Sequence, residues 1–265
     1  MAGYRAKKRF GQNFLNSEQI ARRIVGLLEP GFPIIEIGPG RGALTVPLAE
    51  TGQPLMAVEF DRDLIDYLEK ITADYENVTV VNADFLTFKP SENLTRFSVI
   101  GNIPYNITSP VIDWCIDRYD CLNQVVLMVQ KELARRITSQ PGGKDWSPLS
   151  IFTQLVFEAI YRFEVPPRAF TPPPEVTSAV IDLRPRPREL PADFAAFERV
   201  VRTSFQHRRK QLKNNLVPDI IPDDSTAYEI FQHTGLSRQS RAEEVSIDQF
   251  LKLTHYLVSR NMLTN

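Results

Sequence analysis

The chain has 265 residues, 43% hydrophobic and 24% charged, enough to bury one large core with a small appendage and too apolar for global disorder. A formal net charge of −1 argues against indiscriminate coating of nucleic acid, so any phosphate-bearing partner must be held at chosen places. No run of about 18 apolar residues exists, excluding a membrane-spanning helix, and Gly11, Gln12 and Asn13 stand where a secretory signal would need apolar residues.

Arg5, Lys7, Lys8 and Arg9 form a first basic cluster at the start of the chain. Asn16 or Ser17 then caps a helix whose apolar positions Ile20, Ile24, Leu27 and Leu28 repeat at helical spacing, with Pro30, Gly31 and Pro33 stopping it. Short apolar runs follow at 34–37, 55–59, 78–81, 97–100 and 125–129, each succeeded by a longer amphipathic segment. Near-continuous apolar strands alternating with helices predict a parallel sheet covered on both faces. Cys115 and Cys121 offer neither a disulfide framework nor a zinc site, and His207, His233 and His255 are too scattered for a helical metal motif. A reducing, cytoplasmic setting without structural metal is expected.

After residue 158 the rhythm changes. Segments 159–165 and 178–183 read as strands joined by a proline-rich loop, and so short a connection predicts an antiparallel pair. Pro185, Pro187 and Pro191 mark a linker. A helical region begins with Phe194, Phe197, Val200, Val201 and Phe205, and Ser246 with Gln249 makes a capping box for a final helix. The helical region carries a second basic cluster, Arg199, Arg202, Arg208, Arg209, Lys210 and Lys213, with no acid between 199 and 213. Arg209 and Lys213, four apart, are expected to share a helix face and track a phosphate strand.

Gly38-Pro39-Gly40-Arg41-Gly42 follows the first strand of the series, where a glycine turn lets backbone approach a ligand at the carboxyl end of a sheet. Glu59, at the end of the next strand, is placed to accept ribose hydroxyls, and Asp84 adds an acceptor suited to an adenine amino group. These features fit a nicotinamide cofactor and S-adenosylmethionine alike. The strand ending Gly101-Asn102-Ile103-Pro104-Tyr105 decides between them. An exocyclic base amine is a poor nucleophile because its lone pair is delocalised into the ring. Two acceptors aimed at it, the Asn102 side-chain oxygen and the Pro104 carbonyl, favour tetrahedral geometry and stabilise developing positive charge. Tyr105 supplies a ring for stacking the base; the ring rather than the hydroxyl is the expected functional part.

Gly38-Pro39-Gly40 with Asn102-Ile103-Pro104-Tyr105 resembles the RNA adenine-N6 dimethyltransferases. Segments 9–15, 168–174 and 208–216 sharpen the likeness to the bacterial ribosomal small-subunit RNA adenine-N6 dimethyltransferases, the kasugamycin-sensitivity methyltransferase family. The resemblance implies an α/β fold: a Rossmann-like class I methyltransferase domain with a mostly parallel seven-stranded sheet over residues 1–184, then a small all-α domain over 185–265 that binds RNA. It implies S-adenosyl-L-methionine as cofactor, held by Asn13, Leu15, Gly38, Gly40, Glu59, Asp84 and Asn102. Phe170 would stack on the second face of the target base, completing a methyl-transfer pocket of Asn102, Pro104 and Tyr105. RNA would be held by Arg5, Lys7, Lys8, Arg9, Arg208, Arg209, Lys210 and Lys213. The implied reaction is dimethylation at N6 of two adjacent adenosines in the 3′-terminal hairpin of small-subunit rRNA, during ribosome biogenesis, by a monomer.

Three other readings compete. The large-subunit rRNA methyltransferases of antibiotic resistance share these motifs but are usually strongly basic. A non-catalytic RNA-binding or transcription-accessory protein on the same fold would not need Glu59, Asp84 and Asn102 together. A nicotinamide dehydrogenase would need an acid–base pair that is not evident.

Overall fold

The structure, a computed structural model, describes residues 12–186 and 190–263. In chain order the strands and helices are β1 (Phe14–Leu15), α1 (Glu18–Val25), β2 (Ile34–Ile37), α2 (Thr45–Ala49), β3 (Leu55–Glu59), α3 (Ile65–Thr72), β4 (Val78–Asn82) and β5 (Phe97–Asn102). There follow α4 (Thr108–Ile116), β6 (Leu122–Gln130), α5 (Lys131–Ile137), α6 (Pro148–Val156), β7 (Phe157–Val165), β8 (Phe170–Thr171) and β9 (Ser178–Pro185). The last helices are α7 (Phe194–Ser204), α8 (Lys213–Leu216), α9 (Asp224–Thr234) and α10 (Ile247–Ser259).

Seven strands form one sheet in the order β4-β3-β2-β5-β6-β9-β7. β2 to β6 run parallel, and β9 and β7 run antiparallel at one end, as the short proline-rich connection requires. The chain winds from β2 outward to β4 and then returns to β5 on the other side of β2. That reversal opens a crevice beyond the carboxyl ends of β2 and β5, the place where open α/β sheets bind ligands. β2 and β5 approach closely there: a Cβ on Gly101 would lie 2.8 Å from the Ile37 carbonyl oxygen. Only glycine fits at that point.

The α1 helix is capped by the Ser17 hydroxyl, which accepts from the Ile20 N–H at 3.4 Å. It stops at Val25, one turn earlier than the apolar spacing predicts, because Gly26 caps it by donating to the Arg22 and Ile24 carbonyls. Leu27 and Leu28 still pack against the core from the following turn. The capping box at Ser246 and Gln249 forms as expected.

The described residues divide into two compact units. One holds the chain up to Arg135 together with Phe157–Arg186; the other holds Arg136–Val156 together with the residues from 190 onward. The sequence reading placed 136–156 with the sheet. Its attachment to the helical unit comes from contacts far apart in the chain: the Trp146 indole N–H donates to the Val245 carbonyl at 3.0 Å, and the Gly142 N–H to the Glu243 carbonyl at 2.7 Å. Trp146, Phe197, Phe231 and Phe250 are among the largest fully buried side chains and centre that unit's core. No helix among the described residues is long and apolar enough to cross a membrane.

Candidate active site

A cavity of about 300 Å³ opens in the sheet unit at the crevice beyond β2 and β5. Asn13, Leu15, Gly38, Gly40, Glu59, Asp84, Asn102, Pro104 and Tyr105, all singled out from the sequence, line it. The glycine turn after β2 is left-handed at Gly38 (φ 59°) and Gly40 (φ 60°). At Gly40 a Cβ would also meet the Phe14 ring at 3.0 Å, so a side chain there is both strained and crowded.

Glu59 is only 6% exposed and shapes this turn itself. One carboxylate oxygen accepts the Gly40 N–H at 2.9 Å and the other accepts the Asp61 N–H at 2.8 Å. The Phe60 N–H also bonds this carboxylate, so backbone donors hold it from several sides. Burial raises its pKa above the usual carboxylate value, opposed by the N–H bonds from Asp61 and Gly40. Asp84 closes a turn by accepting the Leu86 N–H on one oxygen at 2.9 Å, which aims the carboxylate and leaves the second oxygen for a ligand amine.

Asn102 lies at the end of β5, and its amide nitrogen donates to the Asn13 backbone carbonyl at 2.9 Å. A carbonyl can only accept, so this contact fixes which end of the amide is which. The Asn102 oxygen is therefore the end left to face a substrate. The bond also holds the chain at Asn13 against the cavity. β1 pins the same segment by pairing with β8, and the Asn16 N–H donates to the Ala169 carbonyl at 2.8 Å.

Pro104 departs from expectation. Its carbonyl already accepts the Ile107 N–H at 3.1 Å and lies 3.4 Å from the Thr108 hydroxyl, in the short 3₁₀ turn Tyr105–Ile107 that leads into α4. The turn bond from Ile107 thus takes this carbonyl into the backbone, with the Thr108 hydroxyl shared between it and the Tyr105 carbonyl. The Ile103 carbonyl, one residue earlier on the same cavity wall, accepts from no described residue. The reason is local: a 3₁₀ turn starting at Tyr105 takes its first acceptor from the residue before it.

Phe170 also departs. It is 3% exposed, pairs with Leu15 across the β1–β8 ladder, and packs into the hydrophobic core rather than lining the cavity. A phenyl ring between two proline-bounded turns is more stable buried than presented to water.

Glu36 was not singled out from the sequence, although it lines the cavity and is 2% exposed. Its Oε2 has no hydrogen-bond partner among the described residues. Burial pushes its pKa up to about 8, with the nearby Glu59 charge adding to the rise and the Thr45 hydroxyl opposing it. An acid inside the run Ile34-Ile35-Glu36-Ile37, on a strand covered on both faces, was the available signal.

The second basic cluster is only partly available. Arg5, Lys7, Lys8 and Arg9 lie outside the described residues. Arg208 donates to the Lys144 carbonyl at 2.6 Å and the Trp146 carbonyl at 3.1 Å. The Lys213 side chain is 14% exposed, paired with Asp224 and set 5.3 Å from the Tyr228 ring centre. Arg209 and Lys213 do not share a helix, because α7 ends at Ser204 and α8 begins at Lys213. Asn215 causes the break: buried, it donates to the Ser204 carbonyl at 2.8 Å and accepts the His207 N–H at 3.1 Å, replacing helical bonds with its own amide. Arg209 and Lys210 remain exposed on the loop between.

The chain matches the family described as "Ribosomal RNA adenine dimethylase" over residues 3–259. It is 39% identical to the Ribosomal RNA small subunit methyltransferase A of Synechocystis sp., over 96% of this chain and 97% of that one. It is likewise 39% identical to the protein of that name from Bordetella pertussis, over 98% and 97%. Among solved structures, the 23S rRNA methyltransferase ErmE superposes with a TM-score of 0.75 at 31% identity, covering 93% of this chain and 100% of that one. A dimethyladenosine transferase from Plasmodium falciparum shares the fold, with a TM-score of 0.81 at 24% identity, over 94% of this chain and 98% of that one.

Proposed function

The chain belongs to the ribosomal RNA adenine dimethylase family, and from that premise we infer that it dimethylates N6 of two adjacent adenosines in the 3′-terminal hairpin of small-subunit (16S) rRNA, with S-adenosyl-L-methionine as methyl donor. The observation that carries the reading is the orientation of Asn102, whose amide nitrogen is committed to the Asn13 carbonyl and whose oxygen is left for an incoming amine. Bound in the cavity, the donor supplies an electrophilic methyl group on a sulfonium.

The chain's own groups supply the rest. Gly38 and Gly40 leave room for close backbone approach, Glu59 accepts ribose hydroxyls and Asp84 an adenine amine. The Asn102 oxygen and the Ile103 carbonyl accept from the target N6 amine, drawing its lone pair out of conjugation and stabilising charge as it develops. Tyr105 stacks on the flipped base, a contact worth about 1–3 kcal/mol in single-strand binding. No strong base is required, because the amine loses its proton readily once it has become an ammonium.

Methyl transfer to immature small subunits, compared with large-subunit RNA, tests the reading. Incorporation at N6 of the small-subunit adenosines is expected, and incorporation only into large-subunit RNA would overturn it. Glu59→Ala is expected to weaken cofactor binding by about 1.5–3 kcal/mol, the range for hydrogen bonds to a charged group. It also releases the Gly40 and Asp61 N–H groups, so calorimetric binding is read beside the melting profile; unchanged affinity removes Glu59 from the site.

RNA placement by the helical unit rests on Arg209 and Lys210. Replacing both with alanine is expected to weaken subunit binding and flatten the plot of log affinity against log salt by about 1.4–1.8, the counterions released at two phosphates. Cofactor affinity should stay at the parental value. An unchanged slope would make the pair a solvated loop.

A further inference from the structure

We propose that Ser178 is a positioning residue for the methyl-transfer site: its hydroxyl, hydrogen-bonded to the Tyr105 hydroxyl, holds the Tyr105 ring in the attitude at which the target base stacks. The proposal rests on the stacking role of Tyr105 inferred above and adds a function for its hydroxyl.

The two partners differ in how firmly they are held. Ser178 opens β9, which lies between β6 and β7, and its Cα is in register with both Gln130 and Val165. It is fully buried. Two ladders therefore fix its backbone, and its Oγ sits 2.9 Å from the Tyr105 hydroxyl oxygen. Tyr105 stands on a single 3₁₀ turn whose preceding residue, Pro104, provides no side-chain cap. The ring is half-buried at the cavity wall, with the chain at its near end on that short turn.

A phenol carried on so short a turn swings about its Cα–Cβ bond unless its far end is tied. The hydroxyl is that far end, and the tie runs to the sheet, the most constrained element of the unit. Without it the ring must be ordered afresh each time a base enters, which lowers the fraction of encounters in reactive geometry. Burial raises the Tyr105 pKa above the usual phenol value, so the hydroxyl keeps its proton and can serve as the donor in this bond. No atom is transferred between the two hydroxyls; the contact acts by orientation alone.

The test is a double-mutant cycle on the full chain, with immature small subunits as substrate and S-adenosylmethionine saturating. Ser178→Ala and Tyr105→Phe are each expected to lower kcat about three- to tenfold, the loss of one neutral hydrogen bond. The double variant should be no slower than either single one, because each hydroxyl acts through the other. Cofactor affinity, measured by calorimetry, should match the parent. Each single variant leaves one hydroxyl unpaired and is expected to melt lower, so kcat is read well below the transition. Ser178→Thr, which keeps the hydroxyl, should restore most of kcat. Parental kcat in Tyr105→Phe, or losses that multiply in the double variant, would overturn the proposal. Tyr105→Ala separates it from the reading on which it rests. A large loss there with unaffected single variants removes Ser178 and keeps the stacking. No loss there withdraws the stacking, and the positioning with it.

Discussion

Asn102→Ala is expected to lower the saturated methyl-transfer rate about 100- to 1,000-fold, the loss found when one polar group that stabilises developing charge is deleted. The Asn102 oxygen matters most as positive charge builds on the amine, so the change falls on kcat more than on RNA association. A secondary effect follows from the structure: the amide nitrogen no longer holds the Asn13 carbonyl, an anchor 2.9 Å long between β5 and the segment bordering the cavity. Cofactor affinity therefore falls as well, and turnover must be read with cofactor saturating. RNA binding at that concentration should be unchanged. Equal saturated rates in variant and parent would remove Asn102 from the chemistry.

Glu36→Gln is expected to stabilise the ligand-free protein by on the order of 3 kcal/mol at pH 7 while weakening its hold on a cationic methyl donor. The sign follows from the proton count. Glu36 has a folded-state pKa of about 8 against an ordinary value of 4.5. Between those values the folded protein binds more protons than the unfolded chain, so stability falls as pH rises from about 4.5 to about 8 and is level beyond. Glutamine keeps the shape and removes the titration. Denaturant unfolding of ligand-free parent and variant at pH 5, 7 and 9 should show the two converging at the acid end and diverging toward the alkaline end. Curves that stay parallel across the range would sink the account. A carboxyl kept at such a disadvantage is consistent with a role realised only when a positive ligand enters the cavity.

The parallel sheet, its antiparallel end and the acceptors at its carboxyl edge were legible because each strand run carries its own periodicity and each acceptor follows its own strand. Glu59, Asp84 and Asn102 needed no knowledge of their neighbours: a strand end in an α/β sheet is already a position in space. Glu36 was missed because the same periodicity marks a strand interior as apolar, and an acid there is visible only as an exception. Phe170 and Lys213 look available as letters, yet one side chain is drawn into the core by its apolar area and the other to Asp224 by charge.

By itself the sequence determined the order of elements, the polar residues at the sheet's carboxyl edge that line the cavity and the family, since local pattern and motif spacing do not depend on how the chain closes. Only the tertiary structure decided which atoms of those residues are free. Pro104 lost its carbonyl to a turn, Asn102 had its amide oriented by Asn13, and Asn215 ended a helix that spacing alone would continue. It also decided that Arg136–Val156 packs with the helical unit, through bonds such as that between Trp146 and Val245, 99 positions apart. The physical reason is the same in each case. A hydrogen-bonding group that is buried must find a partner, and which partner it finds depends on residues far away in the chain.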